Sequence, residues 1–227
     1  MLSINRKQLA RIFWPRYSHT LDIVNRNAQV WATVRDYERR GVQEFSRRED
    51  MYAALNQNLG NIAITYLEFG VWQGDSLRRW AGLNAHPGSR FFGFDSFEGL
   101  PEDWVHGGGK MMKKGEFALG GKAPSIPDPR VTLVSGWFQH TLRGFLVNAP
   151  LVHPIVVHND SDLHSSTQYT LATLDPFLQS GDIIIFDEYS SPANEYLAWE
   201  EYKRAFMRDS ACIAMSHDWR QAAFVLR

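Results

Sequence analysis

Four acidic side chains follow two short apolar runs in the second half of the chain. Asp160 and Asp162 come just after the first run. Asp187 and Glu188 directly follow the second. Carboxylates held close together repel one another and raise one another's pKa, and a hard divalent cation relieves that repulsion by binding their oxygens. No Cys/His spacing typical of zinc or iron accompanies them, so the pattern predicts Mg²⁺, with Mn²⁺ as an alternative.

The competing interpretation of these acids is structural: Asp162 and Ser165 would cap a helix, and Asp187 and Glu188 would be ordinary turn acids. If the acids do form a site, Asp162 could face the substrate and act as a general base. His164 lies two positions further on and could position the substrate or share that role. His158 lies within a predicted strand, which favours a hydrogen-bonded core side chain over a metal ligand.

A second candidate site lies in the first half of the chain. Glu68, Gly70 and Gly74 fall at the first predicted strand-to-helix turn, where glycines let the backbone pass close to a bound ligand. The spacing is not GxGxxG, which weakens a pyrophosphate cradle and suits a nucleoside with an amino-acid tail. Asp95 stands at the tip of the next strand, where an acid typically accepts hydrogen bonds from ribose hydroxyls. Its structural alternative is a turn or helix-capping aspartate.

Trp137 and Phe138 follow the third predicted strand. Their rings could supply a flat apolar contact for adenine, or they could pack in the core.

The elements that would position these residues alternate between strand and helix. Short apolar runs predict parallel strands at 62–69, 90–95, 131–134, 154–158 and 182–186. Two final strands, at 211–215 and 222–226, are joined too closely for a crossover and should form an antiparallel hairpin. We therefore predict an α/β, Rossmann-like fold of the class I methyltransferase type, with a mostly parallel seven-stranded sheet. Such sheets bind ligands at the carboxyl edge, where all the acids named above would lie.

The predicted domain organisation is an N-terminal helical extension at 1–60, without strands, followed by the catalytic domain at 61–227. A glycine-rich segment at 102–128 has no clear periodicity and is predicted to be a lid or substrate loop.

Bulk properties narrow the class of partner. The net charge of −1 among 227 residues argues against nucleic-acid binding. No apolar run approaches the roughly 18 to 20 residues that span a bilayer, and no export signal is evident, so we expect a cytoplasmic protein that does not bind membranes. Cys212 is the only cysteine, which excludes an intramolecular disulfide. Partners should be small molecules, and the N-terminal helices could support a homo-oligomer.

Taken together, these motifs resemble the macrocin O-methyltransferase family, magnesium-dependent class I enzymes that methylate sugar hydroxyls of antibiotics. The resemblance covers about residues 46–190. The stretches that carry it are Glu68-Phe69-Gly70-Val71-Trp72-Gln73-Gly74-Asp75-Ser76, Phe94-Asp95-Ser96-Phe97-Glu98-Gly99-Leu100-Pro101, Ser135-Gly136-Trp137-Phe138, His158-Asn159-Asp160-Ser161-Asp162-Leu163 and Phe186-Asp187-Glu188-Tyr189.

The resemblance implies that S-adenosylmethionine is the methyl donor, that Asp160, Asp187 and Glu188 bind Mg²⁺, and that Asp162 is the base. It also implies that Glu68, Gly70 and Asp95 hold the cofactor. The full set of predicted cofactor-binding residues is Glu68, Gly70, Gly74, Ser76, Asp95, Ser96, Gly136, Trp137, Phe138 and Asp160. This chain has His164 where the family has tyrosine, Glu188 where it has a second aspartate, and His140 where it often has an acid. These changes bear on the substrate more than on the reaction.

The expected activity is therefore S-adenosylmethionine-dependent, Mg²⁺-assisted O-methylation of a sugar or similar polyhydroxylated small molecule, with a catechol-like acceptor also compatible. Two alternatives are an NAD(P)-dependent oxidoreductase and a non-catalytic S-adenosylmethionine-binding protein.

Overall fold

The computed structural model describes residues 6–60, 62–105 and 110–227, with side chains from Leu21 onward. Its strands are β1 (Gln43–Phe45), β2 (Thr65–Phe69), β3 (Arg90–Asp95), β4 (Trp104–Val105), β5 (Met111–Met112), β6 (Val131–Ser135), β7 (Ile155–Asn159), β8 (Ile183–Phe186), β9 (Ser210–Ser216) and β10 (Ala222–Leu226). Its α-helices are α1 (Arg6–Arg39), α2 (Arg48–Leu59), α3 (Asp75–Leu83), α4 (Phe138–Leu146), α5 (His164–Leu174) and α6 (Glu195–Ala205). A 3₁₀ turn, Asp175–Phe177, follows α5.

Within the described part of the chain, eight strands form one sheet in the order β1-β9-β10-β8-β7-β2-β3-β6. The five strands from β8 to β6 are parallel, with Glu68 of β2 in register with Gly93 on one side and His158 on the other. Strands β2, β7 and β8 are buried along their whole length. Such strands need continuous apolar runs because helices cover both faces of the sheet, and this is the pattern that predicted them.

Two hydrophobic cores lie on the two faces of the sheet. On one face, Leu142 of α4, Leu171 of α5 and Trp199 of α6 pack in a single cluster. On the other face, Tyr52 of α2 and Trp80 of α3 pack in the second cluster. This three-layer arrangement leaves the carboxyl edge of the parallel strands free for a site.

The C-terminal strands confirm the predicted hairpin. β10 pairs antiparallel with both β8 and β9, and a bulge interrupts its pairing with β9 between Ala223 and Phe224. The predicted α/β fold, a mostly parallel sheet that ends in an antiparallel C-terminal hairpin, is thus confirmed.

One detail of that prediction was wrong. Strand β1 pairs in parallel with β9, Gln43 opposite Ala214, so residues 1–60 are not free of strand and the sheet has eight strands instead of seven. Three residues are too few to show a strand period, so this edge strand could not be predicted from the sequence.

The glycine-rich segment is folded back on itself. Strands β4 and β5 pair antiparallel, and the backbone N–H groups of Leu119 and Gly121 both donate to the carbonyl of Phe97 at 2.9 Å. Leu100 and Trp104 form a small apolar cluster with Leu163, at the start of α5. These contacts attach the segment to the carboxyl edge of the sheet. Its role as a lid stays a prediction.

Among the residues that the structure describes, no helix has both the length and the apolar character required to cross a membrane.

Candidate active site

The two groups of residues predicted from the sequence meet in one cavity of about 620 Å³ at the carboxyl edge of the parallel strands. Its lining includes the predicted cofactor residues Gly70, Asp95, Ser96, Trp137, Phe138 and Asp160. It also includes the acids Asp162, Asp187 and Glu188. A cavity of this size is typical of small-molecule sites.

Asp95 braces the turn that follows β2. Its Oδ2 accepts hydrogen bonds from the backbone N–H groups of Val71 and Trp72, at 2.9 and 2.8 Å. Its Oδ1 accepts one from Phe97 at 2.7 Å. The carboxylate therefore fixes the shape of the turn and still borders the cavity, with lone pairs that can accept further hydrogen bonds.

Gly70 is required by a close approach of two backbone segments. It has a φ of 92°, and a Cβ at this position would overlap the carbonyl oxygen of Asp160. The N–H of Asp160 in turn donates to the carbonyl of Phe69 at 2.9 Å. Glycine thus lets the turn after β2 lie directly against the turn after β7, which joins the cofactor side of the cavity to the acidic side.

Four other predicted cofactor residues, Glu68, Gly74, Ser76 and Gly136, do not line the cavity. Glu68 is fully buried, and its Oε1 accepts a hydrogen bond from Ser76 at 2.8 Å. Gly74 has a φ of 83° and caps the N-terminus of α3. Gly136 has a φ of 131° and donates its N–H to the carbonyl of Asp95 at 2.9 Å. Their predicted contact with the cofactor stays a prediction.

Trp137 and Phe138 are aromatic residues of the cavity lining. Trp137 is the extended residue before α4, and Phe138 is the first residue of that helix. The Phe138 ring meets the Phe69 ring edge to face, with centroids 5.4 Å apart. Phe138 thus packs against the core and also borders the cavity, and its contact with adenine stays a prediction.

Among the described residues, one group of side chains on the acidic side has ligand atoms close enough together to hold a metal ion. Ligand atoms of His158, Asp160 and Asp187 all lie within 4.8 Å of one another. Glu188 borders the same cavity but is not in this group. The structure thus brings Asp160 and Asp187 together as predicted and adds His158, which the sequence favoured as a core side chain.

Burial and mutual repulsion dominate the electrostatics of these acids. Burial, together with Asp187 and Asp162, raises the pKa of Asp160 well above its usual range. Burial, Glu188 and Asp187 raise the pKa of Asp162 to about 8. Burial is also the main cause that raises the pKa of Glu188 to about 7, and Arg220 opposes it. Without a cation, this cluster cannot hold all its charges at neutral pH.

Asp187 is the exception, because it has basic neighbours. Burial opposes ionisation, but hydrogen bonding and charge from His158 and Arg48 lower the pKa of Asp187. Nη1 of Arg48 lies 3.1 Å from Asp187 Oδ1 and 3.3 Å from Oδ2. Arg48 is the first residue of α2 and was not singled out from the sequence, where nothing distinguishes it from neighbouring Arg47.

Asp162 has an unusual backbone conformation, with a φ of 63°. A non-glycine residue in this left-handed region is strained by about 1 to 3 kcal/mol, and such strain concentrates at functional sites. The conformation lies in the short loop between β7 and α5, where Leu163 N–H donates to the carbonyl of Ser161 at 2.6 Å. Asp162 lies on the cavity lining.

His164 lies away from this lining. Its Nε2 is 2.8 Å from Oε2 of Glu201, which also accepts a hydrogen bond from Gln168. This pairing links the start of α5 to α6. Of the two candidate bases, Asp162 is therefore the one with access to the cavity.

Glu195 is a buried acid that was not predicted as a site residue. It is fully buried at the start of α6, and its Oε2 accepts a hydrogen bond from the backbone N–H of Glu188 at 2.8 Å. Its Oε1 contacts no hydrogen-bond donor among the described residues. Burial raises the pKa of Glu195 well above its usual range, and the contact fixes the turn that carries Asp187 and Glu188.

The donor set fits a divalent cation. Buried carboxylates with raised pKa values are stabilised by a hard cation, and the oxygens of Asp160 and Asp187 with an imidazole nitrogen suit Mg²⁺ or Mn²⁺. The cofactor side fits a nucleoside. The cavity combines an acid at a strand tip, a glycine that admits close backbone approach and an aromatic wall.

Comparison with known proteins supports this interpretation. Residues 122–218 match the model of the family Macrocin-O-methyltransferase (TylF). The matched region contains the acidic cluster and Trp137–Phe138, and it excludes the turn of Gly70 and Asp95. The resemblance predicted from the sequence is confirmed over this region. No curated protein matches the chain.

Solved structures of methyltransferases share the fold. The calicheamicin methyltransferase CalS11 superposes with a TM-score of 0.63 at 24% identity, over 78% of each chain. The O-methyltransferase NovP gives a TM-score of 0.57 at 24% identity, again over 78% of each chain. A structure of CmcI with Mg and SAM gives 0.52 at 18% identity, over 80% of this chain and 72% of that one.

Proposed function

We propose that this chain, whose residues 122–218 match the macrocin-O-methyltransferase family, is an S-adenosylmethionine-dependent, Mg²⁺-assisted O-methyltransferase. Its acceptor is a hydroxyl of a sugar or a similar polyhydroxylated small molecule. The observation that carries the proposal is the opening of the acidic cluster into the same cavity as Gly70 and Asp95. A methyl donor and a hydroxyl acceptor can therefore lie side by side.

The similar structures support both the chemistry and the acceptor class. An apo structure of CalS11, which is described as a TDP-rhamnose 3'-O-methyltransferase, shares 21% identity with this chain. CmcI was solved with Mg and SAM. A small-molecule sugar acceptor and these two cofactors are consistent with the cavity described above.

On the cofactor side, the residues of this chain bind and orient the nucleoside. Asp95 would accept hydrogen bonds from the ribose hydroxyls, while Gly70 admits the cofactor close to the backbone. Trp137 and Phe138 would contact the adenine ring. Glu68 and Ser76 support the turn from behind, through their mutual hydrogen bond. S-adenosylmethionine supplies the electrophilic methyl group.

On the acidic side, Asp160 and Asp187 would hold Mg²⁺, with His158 or Glu188 as a further ligand. When bound, the cation would lower the pKa of the acceptor hydroxyl. Asp162 then takes the hydroxyl proton onto its carboxylate as the acceptor oxygen forms its bond to the methyl carbon. The methyl–sulfur bond breaks in the same step, and S-adenosylhomocysteine leaves.

Positioning contributes much of the remaining rate. The oxygen, carbon and sulfur atoms must lie in line, and the turns that carry the two sites are held together by the Gly70–Asp160 approach. The apolar cluster of Leu100, Trp104 and Leu163 lies next to the base loop. It would exclude water on the acceptor side.

Neither alternative function has an observation in its favour. An NAD(P)-dependent oxidoreductase would be expected to carry the GxGxxG turn, which is absent, and the hairpin of β9 and β10 is typical of methyltransferases. A non-catalytic S-adenosylmethionine-binding protein would not require a strained acid with a raised pKa on the cavity lining.

The test is formation of S-adenosylhomocysteine from S-adenosylmethionine across a panel of sugars, nucleotide sugars and phenols, with Mg²⁺ and with excess EDTA. Asp160→Asn should abolish Mg²⁺-dependent turnover and leave cofactor binding largely intact, because it removes a ligand oxygen without altering the turn after β2. Asp209→Asn is the matched control, since its side chain bonds the N–H of Ser210 far from the cavity.

Full activity in EDTA, or an active Asp160→Asn variant, would contradict the metal assignment. NADH binding with no cofactor response to S-adenosylmethionine would favour the oxidoreductase. Cytoplasmic location, assembly through the N-terminal helices and the boundary near residue 60 remain predictions from the sequence.

A further inference from the structure

A chain of buried hydrogen bonds runs beneath the cavity, from the cofactor side to the acidic side. Its central members are Glu68, Tyr66 and His158, each fully buried. Glu68 and His158 are register partners on β2 and β7, and Tyr66 lies two residues before Glu68 on the same face of β2. The three side chains therefore meet on one face of the sheet.

The Tyr66 hydroxyl contacts both neighbours at short range. It lies 2.6 Å from Oε2 of Glu68 and 2.7 Å from Nδ1 of His158. The Tyr66 hydroxyl donates its one proton to Oε2 of Glu68. At Nδ1 of His158 it can then only accept, so Nδ1 carries a hydrogen.

This direction of bonding decides where the other nitrogen of His158 points. Nε2 lies 3.9 Å from Oδ1 of Asp187 and 3.3 Å from the Tyr52 hydroxyl. That hydroxyl is also 3.3 Å from Oδ1 of Asp187. Nε2 thus faces the acidic cluster because Nδ1 is held by Tyr66.

We propose that Tyr66 is a positioning residue that serves both ligand sites through a single hydroxyl group. It holds the Glu68 carboxylate behind the cofactor turn, and it fixes the tautomer and ring orientation of His158 beside Asp160 and Asp187. The inference rests on the proposed function, because it assigns the two ends of the chain to S-adenosylmethionine and to a divalent cation. It adds a residue that no sequence motif indicated.

The chain offers a matched pair of variants that separates this role from simple structural loss. Tyr66→Phe and Tyr52→Phe each remove one buried hydroxyl and keep the ring, whose packing on Trp80 is retained in both cases. Tyr66 touches both ends of the hydrogen-bond chain. Tyr52 touches only the acidic end, at His158 and Asp187.

Isothermal titration calorimetry with S-adenosylhomocysteine and, separately, with Mg²⁺ gives the first readout. Loss of a residue that orients a metal ligand typically costs roughly 10- to 100-fold in metal affinity. Tyr66→Phe should therefore weaken Mg²⁺ by about tenfold or more, and it should also weaken S-adenosylhomocysteine, because it frees the Glu68 carboxylate behind the cofactor turn. Tyr52→Phe should weaken Mg²⁺ and leave the affinity for S-adenosylhomocysteine unchanged.

The second readout needs no ligand. Nitrogen-15 NMR of the imidazole side chains, with His158→Gln to assign the signal, should show a hydrogen on Nδ1 of His158 in the wild-type protein. Tyr66→Phe should remove or redistribute it, while Tyr52→Phe should not. This measurement also stands if Tyr66→Phe proves too unstable for calorimetry, since the wild-type spectrum alone reports the tautomer.

A wild-type His158 with hydrogen on Nε2 alone overturns the inference. So does a Tyr66→Phe variant that changes one ligand affinity or neither while the wild type binds both, and in that case the proposed function stands. If the wild-type protein binds neither S-adenosylhomocysteine nor Mg²⁺, the proposed function fails and the role of Tyr66 toward the two ligands fails with it.

Discussion

The carboxylates in the two halves of the cavity are stabilised in opposite ways. On the cofactor side, the Asp95 carboxylate accepts three backbone hydrogen bonds and is satisfied by the protein alone. On the acidic side, burial and mutual repulsion raise the pKa of Asp160, Asp162 and Glu188. The difference indicates that the first half is preformed and that the second is built to be completed by a cation.

The two halves of the cavity are connected both through the backbone and through side chains. The backbones touch at Gly70 and Asp160, where no side chain would fit, and the side chains connect through Tyr66 below the cavity. A substitution at the junction should therefore affect both halves. A substitution within one half should show the electrostatic character of that half.

The junction should give the largest effect. Gly70→Ala places a Cβ against the carbonyl oxygen of Asp160 at a φ of 92°. Overlap and backbone strain together should lower the free energy of unfolding by about 3 kcal/mol or more, measured by urea denaturation. Binding of S-adenosylhomocysteine should be lost as well.

Gly181→Ala is the matched control, because Gly181 has a φ of 93° but nothing lies within 4 Å of its Cβ position. This variant should lower the free energy of unfolding only by the strain of a left-handed backbone at a residue with a Cβ, about 1 to 2 kcal/mol. Equal losses in the two variants would show that the approach to Asp160 is not what requires glycine at position 70.

Matched aspartate-to-asparagine changes should alter the stability of the protein in opposite directions in the two halves. Asp95→Asn replaces an oxygen that backbone N–H groups need, so it should destabilise the protein by about 1 to 3 kcal/mol. Asp162→Asn removes a repelled buried charge, so at about pH 8 without a cation it should raise the melting temperature. It should also abolish turnover, since it removes the proposed base.

Scanning calorimetry in EDTA measures the change in melting temperature of both variants. The contrast between the halves fails if Asp162→Asn destabilises the cation-free protein as much as Asp95→Asn does.

The smallest effect should come from Arg48, whose half-exposed side chain partly neutralises Asp187. Arg48→Gln removes that charge and leaves the acidic cluster more negative, so Mg²⁺ should bind a few-fold more tightly, about 1 kcal/mol. Calorimetric titration of Mg²⁺ into the variant and the wild type gives the comparison. Weaker binding would mean that Arg48 supports the site in a way other than charge.

The residues of the site differ in how far the sequence alone could predict them. Asp95, Asp160 and Asp187 were predictable because each directly follows an apolar run, and parallel strands end at one edge of the sheet. Gly70 was predictable as a turn residue. The seven principal strands follow from continuous apolar runs and turn glycines, whereas the three-residue β1 carries no detectable period.

The supporting residues could not be predicted because their contacts are distant in sequence. Tyr66 and His158 are 92 positions apart, and Arg48 and Asp187 are 139 apart. Glu195 is an ordinary acid at the start of a helix until the fold places it against the Glu188 backbone. Strand register and helix packing, which a local pattern does not encode, create all three contacts.

The pH dependence of stability follows from the raised pKa values. In the cation-free protein, Asp162 keeps its proton until about pH 8, whereas the unfolded chain releases it near 3.8. The unfolded state then binds fewer protons, so stability falls as the pH rises from about 4 to about 8. Glu188, raised to about 7, contributes with the same sign. Asp187, whose pKa is lowered, loses its contribution only on the acid side of 3.8.

The most direct test of the account is the free energy of unfolding of the wild-type protein across this pH range, by urea denaturation, in EDTA and in saturating Mg²⁺. We predict that stability in EDTA declines toward about pH 8 and that Mg²⁺ removes the decline, because the cation stabilises the ionised cluster. Superimposable curves with and without Mg²⁺ would contradict the claim that the acidic half of the cavity is completed by a cation.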